Sequence, residues 1–326
     1  MTALSLPMQV RAAAEAVAAR ADSVHIRHDR LAAYTGLLLK QDINREMTDL
    51  DRRTLGAGQT AEAKAAYVVA LDAINFGSGY FKTAQENGAA LEYADLALAL
   101  RRAFDDKILD TPQKWTDVAA ADCHRIFAVE EGICADTDAL MALYAAHLRE
   151  AGAYLLRDYG GKAFGLLEAA DRSAARLAAL VAAWPGFRDI ADYDGMAVPI
   201  YKRAQILAAD MHLALGGEGA ADFTDLDALT IFADNMVPHV LRHDGILDYA
   251  PPLAAAIDAG ELLKAGSAFE VELRAVSIHA VECLKVAAQA RGKNVTSLDL
   301  DRIIWNRGYE REFFNKPPHR TMTVWY

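Results

Sequence analysis

Apolar residues recur along most of this chain at three- and four-residue intervals, the spacing that places them on one face of a helix. Alternating runs of strand length are nearly absent until the last few residues. Pro7 opens a first helix to about Arg20, and a second spans Arg30 to Lys40 with Leu31, Leu37, Leu38 and Leu39 on or near its buried side. Thr60 is placed to cap a third, in which Tyr67, Leu71 and Ile74 fall at i, i+4 and i+7. It ends at the turn Asn75-Phe76-Gly77-Ser78-Gly79. Further helices are predicted over Ala89–Phe104, Thr116–Val129 and Asp138–Arg157, the last stopping at Gly160-Gly161. Phe164–Ala183 is read as one alanine-rich helix closed by Trp184-Pro185-Gly186.

Pro199 suits the first position of the next helix, which runs to about Leu215 and stops at Gly216-Gly217. Thr224-x-x-Asp227 resembles a capping box for a helix carrying Leu229, Phe232 and Ala233. Ser267-x-x-Glu270 is the full pattern and opens a long helix to about Ala290. A last helix, Leu298–Asn306, closes at Gly308, and the tail Pro317–Tyr326 is extended. The fold class is therefore all-α. A single compact helical domain is expected over 1–326, in two lobes of about 1–160 and 161–326, with a ligand cleft between them.

Composition narrows the function. The 326 residues are 53% hydrophobic and 24% charged, the balance of a folded soluble chain rather than a disordered one. The net charge of −11 disfavours a DNA or RNA binder, which needs a basic face against phosphates. No apolar stretch reaches membrane-spanning length, and Arg11, Glu15 and Arg20 interrupt the N-terminal alanines where a signal peptide would be apolar. Cys123, Cys134 and Cys283 are an odd set without a close pair, which suits free thiols in a cytoplasmic protein.

Three places could carry chemistry. Lys202 and Arg203 follow Tyr201 in the first turn of the Pro199 helix, where cations oppose the helix dipole unless an anion such as a phosphate sits there. Two solvated side chains on an exposed turn would look the same. Asp234 follows the apolar run Leu229–Ala233, late in its expected helix, and an acid there suits a base, a nucleophile or a stabiliser of positive charge. A terminal Asp bonded to a nearby donor is the plainer alternative. Asp301 and Trp305 share a helix face at i, i+4, which could hold a cationic or aromatic ligand, or be a rim pair. His279-x-x-Glu282 with Glu272 runs opposite to the carboxylate-bundle order and has no second copy, so no metal is expected.

Five strings occur in order: Leu71-Asp72-Ala73-Ile74-Asn75-Phe76, Tyr201-Lys202-Arg203-Ala204-Gln205-Ile206, Phe232-Ala233-Asp234-Asn235-Met236-Val237-Pro238, Glu272-Leu273-Arg274-Ala275 and His319-Arg320-Thr321. Together they resemble the queuosine salvage family of queuosine 5′-phosphate N-glycosylase/hydrolases, from about residue 60 to the end. That resemblance implies an all-α fold akin to helix-hairpin-helix DNA glycosylases, of which Trp184-Pro185-Gly186 and the Lys202 helix would be a loose echo. It implies hydrolysis of queuosine 5′-monophosphate to release queuine, with no metal or organic cofactor. Asp234 matches the catalytic aspartate and Lys202 the motif lysine, which would bind the 5′-phosphate or orient Asp234. Phe232 would pack on the base, and Asp301 with Trp305 would meet the cationic secondary amine of queuine. Asn75, Phe76, His239 and Arg320 complete the implied substrate contacts, with His319 and Arg320 as phosphate candidates. The expected partner is this small molecule, not nucleic acid or membrane. A DNA-repair glycosylase and a non-catalytic nucleoside-binding module are the competing readings; the net charge opposes the first.

Overall fold

The computed structural model describes residues 4–40, 55–56 and 58–326. Helices dominate it, at 61% helix against 5% strand. Two compact units interleave along the chain.

The described residues of the first unit fall in Met1–Met47, Asp189–Lys202 and Asp227–Met322. Its axis is the helix Ala268–Gln289, buried at every position from Glu270 to Ile278. Against it pack the helices Leu6–Ala18 and His28–Leu38 and the later helices Met236–His243 and Ser297–Arg307. Two short antiparallel strand pairs complete the unit: Val24–Ile26 with Leu247–Tyr249, and Ile190–Tyr193 with Met196–Pro199. The second pair is a tight hairpin. Its two-residue loop is Asp194-Gly195, with φ of 50° and 77°, the left-handed pair that matches strand twist.

The second unit comprises Thr48–Arg188, Arg203–Leu226 and Thr323–Tyr326 in its described residues. The long helix Ala135–Tyr159 packs on Ala61–Ala73, Ser78–Glu86, Pro112–Trp115, Ala120–Ile126 and Ala163–Ala169. Ala61–Ala73 is buried on all sides from Ala65 onward, beyond the single face that Tyr67 and Leu71 suggest. Gly77, at φ 117°, ends the turn after this helix and donates its N–H to the Tyr326 carbonyl at 3.0 Å.

Two expected N-caps form. Thr60 Oγ1 accepts the Ala63 N–H at 3.1 Å. Ser267 Oγ accepts the Glu270 N–H at 3.4 Å, although the Glu270 carboxylate reaches the Gly266 N–H rather than closing the box on Ser267. The tail from Pro317 forms no helix.

Four expectations are corrected. Phe164–Ala183 is two helices, Ala163–Ala169 and Ala174–Ala182, because Asp171 and Arg172 turn left-handed and Ser173 caps the second. Asp225 reinforces that cap, accepting the N–H groups of Ala174 and Ala175. Thr116–Val129 likewise shrinks to Ala120–Ile126 after a separate turn at Pro112–Trp115. Pro199 ends a strand, and the helix it was expected to open begins at Lys202. The run Leu229–Ala233 is not helical: only the short turn Leu226–Ala228 follows Thr224. A five-residue apolar run that is buried throughout has no periodicity to separate helix from extended chain.

Candidate active site

Asp234 lies at the start of a helix rather than at the end of one. It precedes Met236–His243, and its Oδ1 accepts the N–H groups of Met236 at 2.8 Å and Val237 at 3.1 Å. These are two of the amides that a helix start leaves without internal partners, and negative charge is favourable at that end of the dipole. Oδ2 accepts the indole N–H of Trp305 at 3.2 Å. Three donors on two oxygens fix the carboxylate while leaving part of its acceptor capacity open.

Trp305 therefore turns its polar edge to Asp234, and its ring meets Tyr309 edge-on at 4.8 Å. Asp301, one helical turn earlier and buried, accepts the Phe232 N–H on Oδ1 at 2.9 Å. The face shared by Asp301 and Trp305 thus grips the Phe232–Asp234 segment at two points, and the Phe232 ring is itself buried.

Behind that segment stands a charge pair that spacing does not reveal. Arg274, fully enclosed in the long helix, donates Nε to the Ala233 carbonyl at 3.0 Å. Its two terminal nitrogens meet the Asp189 carboxylate at 3.1 and 2.7 Å, a bidentate pair, and one lies 3.5 Å from Glu270. Asp189 Oδ2 accepts the Lys202 N–H at 3.2 Å, and its carbonyl accepts the N–H groups of Ile200 and Tyr201 at 3.0 and 3.3 Å. Tyr201 has φ 52°, an uncommon conformation for an aromatic residue, immediately before Lys202. Lys202 itself is buried.

The C-terminal string joins the same unit. His319 is buried, and its carbonyl accepts the Asn235 side-chain amide at 3.5 Å. Burial, with Arg274 and His239 nearby, pushes the His319 imidazole down to about 3, so the ring is neutral. The Arg320 carbonyl accepts the Leu263 N–H at 2.8 Å, which anchors the backbone of that residue. His239 is buried as well, and its Nε2 donates to the Phe313 carbonyl at 2.9 Å, the only tautomer a carbonyl partner permits. That bond fixes His239 to the turn Arg311–Asn315.

Asn75 and Phe76 belong to the second unit. Asn75 Nδ2 donates to Asp72 Oδ1 at 3.0 Å. The Phe76 ring packs on Tyr144 and His147, with the Arg203 guanidinium 4.9 Å from its centroid. Arg203 donates to the carbonyls of Asp72, Ala73 and Gly186. It therefore closes the end of the Ala61–Ala73 helix, a structural duty for the cation that follows Lys202.

The weak metal constellation resolves into structural bonds. Glu272 accepts the N–H groups of Ser23 and Val24 at 2.7 and 3.0 Å and the Tyr193 hydroxyl at 2.8 Å. Glu282 pairs with Arg11 and Lys285 and accepts from Ser297.

A family model described as queuosine salvage protein matches residues 56–326. The chain belongs to the queuosine salvage protein family. It is 36% identical over 320 residues to a queuosine 5′-phosphate N-glycosylase/hydrolase of Sphaerobacter thermophilus, covering 95% of each chain. It is 32% identical over 287 residues to the protein of that name from Bos taurus, covering 82% of this chain and 83% of the other. A Dictyostelium discoideum protein of the same name is 32% identical over 269 residues, covering 81% and 79%. All five strings that suggested the queuosine salvage family lie inside the matched residues. No helix among the described residues is long and apolar enough to cross a membrane.

Proposed function

We propose that this chain is an N-glycosidase that hydrolyses queuosine 5′-phosphate and releases queuine for reuse in tRNA modification. The observation that carries the reading is the Asp234 carboxylate, held by Met236, Val237 and Trp305 within a chain of this family.

In the reaction the bond between C1′ and the base nitrogen breaks, and its electron pair stays with the base. Water bonds to C1′, one of its protons ends on the base, and ribose 5-phosphate remains. Positive charge builds on the sugar as the base leaves. A fixed carboxylate meets that charge without reorganising, by electrostatic stabilisation or by attack on C1′. The demand on it is high, because a 7-deazapurine has no N7 to protonate and the base is a poor leaving group.

Lys202 is assigned to the 5′-phosphate or to orienting Asp234; its buried place at a helix start supports that. Phe232 is assigned to the base. Asp301 and Trp305 are assigned to the substrate amine side, with their bonds to the Phe232–Asp234 segment as a second duty. Asn75, Phe76, His239 and Arg320 are assigned as further substrate contacts. The fold is read as akin to helix-hairpin-helix DNA glycosylases, with Trp184-Pro185-Gly186 before the Lys202 helix in support. The protein is placed in the cytoplasm, acting on a free nucleotide without a cofactor, nucleic acid or membrane; the net charge of −11 supports a small-molecule substrate.

The test is incubation of the protein with queuosine 5′-monophosphate and, separately, with the free nucleoside, followed by chromatography. Queuine and ribose 5-phosphate in equal amounts are expected from the nucleotide. Tight binding with no free base would overturn the enzyme reading.

A further inference from the structure

We propose that Asp189 and Arg274 are positioning residues for the candidate chemistry: one buried ion pair sets both the Asp234 carboxylate and the start of the Lys202 helix. The inference rests on the reading of Asp234 and Lys202 given above.

The geometry is direct. Arg274 and Asp189 are both enclosed, with side chains 1% and 3% exposed, so their fork-to-fork contact is shielded from water and salt. From this pair one arm runs forward. Arg274 Nε holds the Ala233 carbonyl, one peptide before Asp234. The other arm runs back. Asp189 Oδ2 holds the Lys202 amide, and the Asp189 carbonyl holds the amides of Ile200 and Tyr201 through the left-handed turn. The planar guanidinium fills all these directions at once, and a lysine ammonium cannot. Neither residue is placed on the substrate. Their effect passes through the backbone, where a displacement of about 1 Å at a reacting group can lower a rate about 10²-fold.

Arg274→Lys keeps the charge opposite Asp189 and removes the Nε bond to Ala233. Asp189→Asn keeps an acceptor for Lys202 and removes the ion pair. Two readouts separate positioning from general stability. The chain has four tryptophans. The Trp305 indole N–H resonance reports its bond to Asp234 and is assigned by its loss in Trp305→Phe. Trp115, in the second unit, donates its indole N–H to the Leu109 carbonyl and serves as an internal reference.

In Arg274→Lys the Trp305 resonance should move upfield while that of Trp115 stays in place. Its kcat for queuine release should fall about 10²-fold, with KM within about threefold. Asp189→Asn should move the same resonance, and it stands in if Arg274→Lys does not fold. A Trp305 resonance unmoved in the folded variant would overturn the proposal, whatever the kinetics. Absence of turnover by the wild type would instead overturn the functional reading, and the resonance would still decide the positioning claim.

Discussion

The indole N–H of Trp305 donates to Asp234 Oδ2 at 3.2 Å, joining two residues 71 positions apart. The other carboxylate oxygen is held by the amides of Met236 and Val237. Trp305→Phe keeps an aromatic ring against Tyr309 and removes this side-chain donor. A hydrogen bond to a charged group is worth about 1.5–3 kcal/mol. If that bond supports the transition state, kcat should fall about 10- to 100-fold with little change in melting temperature. Steady-state kinetics beside a thermal melt checks this, and unchanged kcat would show that the bond is incidental.

Asp301 offers a second separation of roles. Its Oδ1 holds the Phe232 N–H in the free protein. Asp301→Ala leaves that buried amide without its acceptor and should destabilise the fold by about 1–3 kcal/mol. Asp301→Asn retains a carbonyl oxygen and should recover most of that loss. Urea unfolding of both variants without substrate is the check; no loss in Asp301→Ala would mean the carboxylate serves the ligand alone.

Acid should act through buried histidines. His319 and His147 are each pushed down to about 3 by burial, with nearby Arg274 and Arg203 adding to the effect respectively. Their unfolded value is 6.5, so between those limits the unfolded chain binds more protons than the folded one. Stability is full above pH 6.5 and is lost as pH falls toward 3, by up to about 1.4 kcal/mol per pH unit for each ring. His319→Asn should flatten that decline relative to its own stability at neutral pH. Chemical unfolding at several pH values measures the slope, and an unchanged slope would contradict a neutral buried His319.

Arg203 should behave as a helix-end donor rather than an anion site. Arg203→Gln leaves the carbonyls of Asp72, Ala73 and Gly186 short of donors and should cost about 2–4 kcal/mol. The loss should be the same with and without phosphate in the buffer. A stability gap that widens as phosphate is added would point back to anion binding.

Legibility in the sequence followed the range of the cause. Thr60 and Ser267 cap helices through bonds three residues long, and both are readable because the whole motif is local. Leu229–Ala233 was not readable as extended chain, since its conformation is held by Asp301 and Arg274 from distant helices. With that run taken as helix, Asp234 falls at a helix end, whereas it precedes the helix Met236–His243. Motif resemblance still singled it out, because the string carries the residue whatever its conformation. Asp189 had no local signal: it meets Arg274 across 85 residues. Arg274 had one, since it stands in the string Glu272-Leu273-Arg274-Ala275 that resembles the family. Spacing puts Asp301 and Trp305 on one helix face, and it does not show that each side chain bonds a distant segment.

The most direct test compares wild type with Asp234→Asn for both turnover and binding of queuosine 5′-phosphate. The amide oxygen can still accept from Met236 and Val237, so the segment keeps its main anchor while the negative charge is lost. The account predicts binding within about tenfold of wild type and queuine release lowered by about 10³-fold or more. Release within tenfold of wild type would contradict it and move the chemistry away from Asp234.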